Sequence, residues 1–315
     1  MRIKLIAAGL AIVAAVGASA AYLAPPPTLS DEAFAAAFAS PLAPAEGPLT
    51  VYHLGHSLVG RDMPAMVAQF VQGHDYASQL GWGATMKGHL EGDVPGYDEE
   101  NRHPQFEPVQ EALATGRFDA FVVTEMVEIK DAIKYFDSGA SLARWAKLAR
   151  SANPDARVYL YETWHNLDDS AGWLERIDSD LGVYWEGTIL RQAMAEDGVG
   201  TIHVIPGGQV MAATVREIEA GRVPGLTRRE DLFAISADGT PDTIHLNDLG
   251  NYVIALTHYA VLYGKTPVGL PHELMRADGT PANAPSPEAA RVIQEVVWQV
   301  VTNYGPAGVG LRPQG

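Results

Sequence analysis

The sequence predicts a three-layer α/β/α domain of the flavodoxin-like kind, with a central parallel sheet of about five strands. The first observation behind this prediction is a set of short apolar segments without polar alternation. Such segments are typical of parallel strands buried on both faces, and they lie at residues 49–54, 76–80, 118–123, 157–161 and 201–205. The second observation is that segments with helical spacing separate these strands, as crossover helices do in a parallel sheet.

The predicted helices follow from the spacing of apolar residues. Pro64 opens the helix after the first strand, as proline often does in a first helical turn. In chain order, helices are predicted near residues 31–38, 63–71, 106–115, 138–152, 171–196, 209–220, 249–263 and 287–302. The polar, turn-rich stretch 91–104 is long for a connection, which marks it as a candidate binding loop.

The N-terminal residues 1–20 resemble a secretory signal peptide, in which Arg2 and Lys4 precede an apolar run that ends in small residues. Cleavage after Ala20 predicts a periplasmic or secreted protein, and an uncleaved N-terminal membrane anchor is the alternative. Residues 21–48 are rich in alanine and proline and are predicted to form a linker. The remaining residues, 49–315, are enough for one large domain.

Composition excludes several classes of partner. The chain has no cysteine, so disulfides and lipid attachment through cysteine are excluded. The formal net charge of −16 argues against nucleic acid and anionic membrane surfaces as partners. Beyond the N-terminal segment, no stretch approaches the roughly 20 apolar residues that span a bilayer, so no integral membrane domain is expected. An acidic polymer would be a poor substrate unless its cleft is locally basic.

Ser57 is the first candidate functional residue. The apolar strand 49–54 ends at Gly55, and Ser57 follows two residues later, just before the helix that Pro64 opens. A serine on such a strand-to-helix turn projects from the carboxyl edge of the sheet, where ligands of open α/β folds bind. A loop serine that caps the following helix is the alternative.

A nucleophilic serine needs an imidazole to take its proton and a carboxylate to orient that imidazole. Asp242 lies three residues before His245, close enough to accept a hydrogen bond from its ring. Asn247 and Asp248 follow at once and supply the N-terminal cap of the next predicted helix. A solvent-exposed loop without catalytic function is the alternative for this segment.

These two segments carry a resemblance. With Gly55-His56-Ser57-Leu58 near its start and Asp242-Thr243-Ile244-His245-Leu246-Asn247 near its end, the chain resembles the SGNH (GDSL-like) hydrolase superfamily over about residues 49–264. The resemblance implies the SGNH hydrolase fold and esterase chemistry. It also implies a catalytic triad in which Ser57 is the nucleophile, His245 the base and Asp242 its orienting partner. No metal or cofactor is implied.

The resemblance is less complete in the middle of the chain. It implies that the N–H groups of Ser57 and of a glycine after the second strand form the oxyanion hole, and Gly83 is the match, with Gly81 as the alternative. The family's third motif supplies an asparagine, whereas the third strand here ends in Thr124 and Glu125. Either Thr124 or another side chain is therefore predicted as the remaining oxyanion donor, or the hole rests on backbone groups alone. Glu125 is predicted to bind a substrate hydroxyl or to orient His89. Such a departure is similar to divergent, carbohydrate-esterase-like branches of the family.

The fourth strand is followed by Trp164, His165 and Asn166, which are predicted to bind substrate. An aromatic ring beside hydrogen-bonding groups suits a sugar, and a packed loop tryptophan is the alternative. His53 and His56 do not form a metal site by their spacing, because residues i and i+3 of a strand lie on opposite faces.

The predicted function is an exported serine esterase that removes an acetyl or similar short acyl group from a carbohydrate or small acyl ester. Two alternatives remain open. One is a non-catalytic carbohydrate-binding protein on an SGNH-like scaffold. The other is a polysaccharide O-acetyltransferase, in which a sugar hydroxyl replaces water.

Overall fold

Five parallel strands form the central sheet of the computed structural model, which describes residues 26–236 and 238–310. The predicted signal peptide at residues 1–20 lies outside the described residues. The strands run in the spatial order β2-β1-β3-β4-β5. Their bounds are Thr50–His56 (β1), Asp75–Gly81 (β2), Ala120–Val123 (β3), Arg157–Glu162 (β4) and His203–Pro206 (β5). The predicted fold class is therefore confirmed.

Helices cover both faces of this sheet and divide the core in two. In chain order they are α1 (Asp31–Ala37), α2 (Asp62–Phe70), α3 (Met86–Glu91), α4 (Tyr97–Glu100), α5 (Val109–Ala114), α6 (Ile129–Phe136), α7 (Ser138–Ala152), α8 (Trp173–Asp180), a π-helix (Leu181–Leu190), α9 (Arg191–Met194), α10 (Gly207–Glu219), α11 (Asp248–Tyr263) and α12 (Pro287–Asn303). One face carries α2, α10, α11 and α12, and the other carries α1, α3, α5, α7 and the π-helix.

The long helix predicted at 171–196 is a continuous helical region whose centre is the π-helix. The helix predicted at 106–115 begins only at Val109, because Phe106 forms a bridge to Ser78 of β2 and Pro108 precedes the first turn. Among the described residues, no helix has both the length and the apolar character needed to cross a membrane.

The segment with the linker-like composition is held against the sheet domain in its described part. The Phe34 side chain of α1 is buried in the core, and the Arg191 guanidinium lies 4.2 Å from the centre of its ring. Further along, the N–H of Leu42 donates to Gly308 and that of Ala45 to Tyr263. Residues 29–45 therefore cross one edge of the domain in contact with both halves of the core.

β1 lies at the point where the strand order of the sheet reverses direction. The chain goes from β1 to β2 on one side and then to β3 on the other, so the connections diverge at the carboxyl end of β1. Open α/β sheets bind ligands in the crevice formed at such a switch point. Ser57 is the first residue after β1.

A second, two-stranded sheet lies beyond the carboxyl edge of β4. Its strands are β6 (Phe233–Ile235) and β7 (Pro241–Leu246), which pair antiparallel. The sequence predicted only a loop at 242–248. The structure shows instead that Asp242 and His245 both lie on β7.

Candidate active site

The turn that carries Ser57 is held by the side chain of His56, the last residue of β1. The buried His56 ring accepts a hydrogen bond from the N–H of Leu58 at Nδ1 (3.3 Å) and donates from Nε2 to the carbonyl of Glu125 (2.8 Å). Burial lowers the pKa of His56 to about 4, so the ring stays neutral and has one donor and one acceptor to offer. The turn is thereby tied to the end of β3, which fixes the direction in which Ser57 projects.

Ser57, His245 and Asp242 form a continuous hydrogen-bonded chain. Ser57 Oγ lies 2.9 Å from His245 Nε2, and His245 Nδ1 lies 2.8 Å from Asp242 Oδ2. The other carboxylate oxygen of Asp242 accepts the N–H groups of Ile244 and His245, both at 2.8 Å. Burial acts to raise the pKa of Asp242, but these N–H groups and the His245 ring outweigh it and hold that pKa below its usual value. Asp242 is thus ionised and oriented towards the imidazole.

The β6–β7 hairpin is itself fixed by two side chains that contact its backbone. Trp164, just after β4, donates from Nε1 to the carbonyl of Ile244 (2.9 Å), next to His245. Asn247 donates from Nδ2 to the carbonyl of Phe233 on β6 (3.1 Å) and caps α11 by accepting the N–H groups of Leu249 and Gly250 at Oδ1, which confirms the predicted helix cap. The imidazole is therefore carried on a strand that is anchored on both sides.

Two backbone N–H groups near the carboxyl ends of β1 and β2 have no hydrogen-bond acceptor in the described part of the chain. They are the N–H groups of Ser57 and Gly83. Gly83 has φ +54, in the left-handed region, and a side chain there would meet open space. Gly81, the alternative, is the last residue of β2, and a Cβ on it would approach Val94 Cγ1 to 2.3 Å.

The Thr124 hydroxyl is not available as an oxyanion donor. Thr124 is buried, and its Oγ1 donates to the carbonyl of Tyr161 at 2.7 Å, across the β3–β4 pair. A hydroxyl has one proton, so this bond leaves none for an oxyanion. The sequence position suggested a donor because the threonine follows β3, but the contact with β4 decides where its proton points.

Glu125 also has an internal role. Its side chain is fully buried, and Oε1 accepts the N–H groups of Met86 (3.2 Å) and Met126 (2.9 Å). Burial raises the pKa of this carboxyl above its usual value, against the effect of those hydrogen bonds. Glu125 therefore joins the first turn of α3 to the end of β3, and it does not reach a substrate hydroxyl.

The three residues after β4 do not form the predicted sugar-binding surface. Trp164 is fully buried against the β6–β7 hairpin. His165 is buried as well, with Nε2 3.0 Å from Asp180 Oδ2. Asn166 alone is exposed, and its Oδ1 accepts from the Thr243 hydroxyl at 3.2 Å. The hydrogen bonds of these residues stabilise the segment next to β7. The residues therefore help to hold in place the strand that carries His245.

Ser57 lines a polar cleft that was not predicted from the sequence. A cleft of about 540 Å³ runs from Ser57 along three arginines, three carboxylates and His103. The arginines are Arg61, Arg102 and Arg276 and the carboxylates Asp62, Glu100 and Asp278. A smaller cleft of about 180 Å³ lies beside Ser57 and His245. The candidate binding loop 91–104 supplies one wall of the larger cleft, and this was the one available sequence signal.

A third cavity, of about 360 Å³, adjoins the proposed oxyanion position. Gly83, Met126 and Tyr135 are among the residues that line it. Within residues 26–236 and 238–310, no group of three or more His, Asp or Glu side chains is arranged to hold a metal ion.

Neither a protein-family model nor a curated protein matches the sequence. Solved structures do match. The chain is similar to a DUF4886 family protein from Bacteroides uniformis, with 15% identity and a TM-score of 0.53, over 81% of this chain and 95% of that one. This match shows a shared fold.

Two further solved structures are similar at lower TM-scores. A candidate GDSL-like lipase from Parabacteroides merdae matches with 13% identity and a TM-score of 0.43, over 69% of this chain and 96% of that one. A carbohydrate esterase family 3 protein from Talaromyces cellulolyticus matches with 14% identity and a TM-score of 0.38, over 68% and 96%.

Proposed function

We propose that this protein is an exported serine esterase of the SGNH type that removes acetyl or other short acyl groups from a carbohydrate. The observation that carries the proposal is the hydrogen-bonded chain from Ser57 through His245 to Asp242, at 2.9 and 2.8 Å. Residues 188 positions apart meet here with the donor and acceptor pattern of a serine nucleophile and its base. Export rests on the signal-like residues 1–20.

In the proposed reaction, Ser57 Oγ attacks the ester carbonyl while His245 Nε2 takes its proton. Asp242 stabilises the imidazolium that forms, and its two backbone hydrogen bonds keep it in place. His245 then protonates the leaving alkoxide and afterwards removes a proton from the water that hydrolyses the acyl-enzyme. The N–H groups of Ser57 and Gly83 are proposed to hold the tetrahedral oxyanion, since neither is used inside the described chain.

The exposure of the site favours hydrolysis over transfer to a sugar hydroxyl. The His245 side chain is 46% exposed, so water reaches the base without any rearrangement. An acyltransferase has to keep water from the acyl-enzyme, and the open cleft beside Ser57 offers no such barrier.

The test is hydrolysis of p-nitrophenyl acetate and butyrate by wild type, Ser57→Ala and Ser170→Ala. Ser170 is an exposed loop serine and serves as the matched control. We expect Ser57→Ala to lower kcat by at least roughly 10³-fold, because one missing triad member disables the unit, and Ser170→Ala to behave as wild type. Equal inactivity of folded wild type and Ser57→Ala overturns the proposal, whereas acyl transfer to an added glycan faster than hydrolysis replaces esterase by acyltransferase.

A further inference from the structure

Trp82 is an exposed aromatic residue that the structure holds rigidly. Its side chain is 55% exposed, whereas Trp145, Trp164, Trp173 and Trp185 are all buried. Its backbone N–H donates to the carbonyl of Pro95 at 2.7 Å, and its indole N–H donates to Glu100 Oε1 at 2.8 Å. These two hydrogen bonds and a third contact fix a ring that water can still reach.

Gly96 supplies the third contact and shows which way the ring faces. A Cβ on Gly96 would lie 2.3 to 2.6 Å from three atoms at the centre of the indole, Cδ2, Cε2 and Cγ. Only a residue without a side chain can sit this close, so one face of the ring rests on the Gly96 backbone. The exposed area belongs to the opposite face, and the ring is preorganised with that face open.

This open ring follows the strand that pairs with β1. β1 and β2 are parallel neighbours, and His56 is paired with Gly81 at their carboxyl ends. Ser57 and Trp82 each follow by one residue, so both lie just beyond the carboxyl ends of neighbouring strands. Gly83, the proposed oxyanion donor, comes next in the chain, and Glu100, which holds the indole, lines the same cleft as Ser57.

The cleft that Ser57 and Glu100 line has the chemistry of a site for a neutral sugar. Its three arginines are matched by three carboxylates, and burial lowers the pKa of His103, so this cleft has no excess of positive charge. An acidic polymer would find no net attraction there. Arginine and carboxylate side chains do offer donors and acceptors to neutral hydroxyl groups.

We propose that Trp82 is the stacking platform for a neutral pyranose ring, which it holds while Ser57 attacks the acyl group that the ring carries. The inference rests on the proposed esterase function and names the part of the substrate that the protein recognises. The C–H face of the sugar packs on the open indole face, and the cleft that contains Arg61, Glu100 and Arg102 receives its hydroxyls. Trp82 thus takes the role that the sequence assigned to Trp164.

The first test compares two ester classes with wild type, Trp82→Ala, Trp82→Phe and Val183→Ala. The esters are ethyl acetate, which has no ring, and acetylated xylo-oligosaccharides, with acetate release followed at constant pH. We expect Trp82→Ala to lower the ratio of kcat/KM for the saccharide over ethyl acetate by about tenfold, mainly through KM, and Trp82→Phe to restore most of it. Val183 is an equally exposed apolar residue and should leave the ratio unchanged. An unchanged ratio in Trp82→Ala overturns the platform.

The second test does not depend on turnover. Acrylamide quenching of tryptophan fluorescence reports chiefly on Trp82 in a Trp298→Phe background, because Trp298 is half-buried and the other four tryptophans are buried. In Ser57→Ala/Trp298→Phe, acetylated xylo-oligosaccharides should reduce the quenching. If the oligosaccharides give no protection, the proposed role of Trp82 is wrong whether or not the protein is an esterase. If they give protection but wild type does not hydrolyse them, only the proposed esterase function is wrong.

Discussion

Asp242 is the residue on which the geometry of the site depends most directly. The imidazole of His245 is nearly half exposed, so packing does little to hold it. Its orientation and its tautomer rest on the 2.8 Å bond from Nδ1 to Asp242 Oδ2. An asparagine amide at position 242 would present to His245 Nδ1 either its NH2 group, which donates, or its uncharged carbonyl oxygen. The NH2 group would favour the tautomer that carries its proton on Nε2, and this tautomer cannot accept the proton of Ser57.

We therefore predict that Asp242→Asn lowers kcat for p-nitrophenyl acetate by roughly 10³–10⁴-fold, with a smaller effect on KM. The measurement is steady-state kinetics with matched unfolding curves. Asp155→Asn, a change at an exposed loop aspartate, is the control and should keep wild-type activity. A drop of less than tenfold in Asp242→Asn would show that His245 does not need this carboxylate.

The sequence predicted which residues meet at the triad but not what several of their neighbours do. Asp242 and His245 were identified from a three-residue spacing and Ser57 from the end of an apolar strand. The roles of Thr124 and Trp164 depend on which distant carbonyl takes their proton, Tyr161 in one case and Ile244 in the other. Such pairings arise between elements, and no local pattern encodes them.

The β6–β7 hairpin is the element that brings the base to the nucleophile, and it lacks a sequence signal. None of the β7 residues is fully buried, so no apolar alternation marks the strand. Its register is held from outside by Asn247, whose Nδ2 donates to the carbonyls of Asp231 (2.9 Å) and Phe233 (3.1 Å). The same side chain caps α11 through Oδ1. Asn247 thus couples the hairpin to the core.

We predict that Asn247→Ala lowers the free energy of unfolding by about 1–2 kcal/mol, as loss of a helix cap does, and also lowers kcat. Ser286→Ala is the matched control, because Ser286 caps α12 with a 3.1 Å bond to the N–H of Ala289 and has no contact with the hairpin. It should reduce stability similarly without reducing kcat. Urea unfolding and ester hydrolysis give both readouts. Equal effects of the two substitutions on kcat would mean that the hairpin does not depend on Asn247.

For the whole molecule, the parallel sheet could be predicted because most of its strands are predominantly apolar runs. The strand order could not, since it depends on which strands pair. That order places β1 at the switch point, which makes the turn after β1 the one beside the crevice. Titratable side chains are buried with the sheet, away from water. Their shifted pKa values make the stability of the protein depend on pH.

The buried histidines and the buried carboxyls of Glu125 and Glu162 contribute to that dependence between about pH 4.5 and 8. Burial lowers the pKa of His56, His74, His89, His203 and His258 to about 4 each, and that of His53 well below its usual value. Between pH 6.5 and 4 the unfolded chain binds protons at these sites and the folded chain does not, so stability falls as the pH falls. Burial also raises the pKa of Glu162 to about 8. Above its ordinary pKa the unfolded chain loses this proton while the folded chain keeps it, so this contribution falls as the pH rises towards 8.

The two effects together predict a maximum of stability near pH 6.5, because the buried histidines outnumber the buried glutamates and outweigh them below that pH. We predict that Glu162→Gln lessens the decline from pH 6.5 to 8 and leaves the decline from pH 6.5 to 4.5 in place. The Gln side chain can still accept the N–H of Gln209, which Glu162 accepts at 3.2 Å, so the comparison concerns slope and not absolute stability. The measurement is the urea midpoint of wild type and Glu162→Gln at pH 4.5, 5.5, 6.5, 7.25 and 8. Parallel curves above pH 6.5 would show that Glu162 is already ionised in the folded protein at neutral pH.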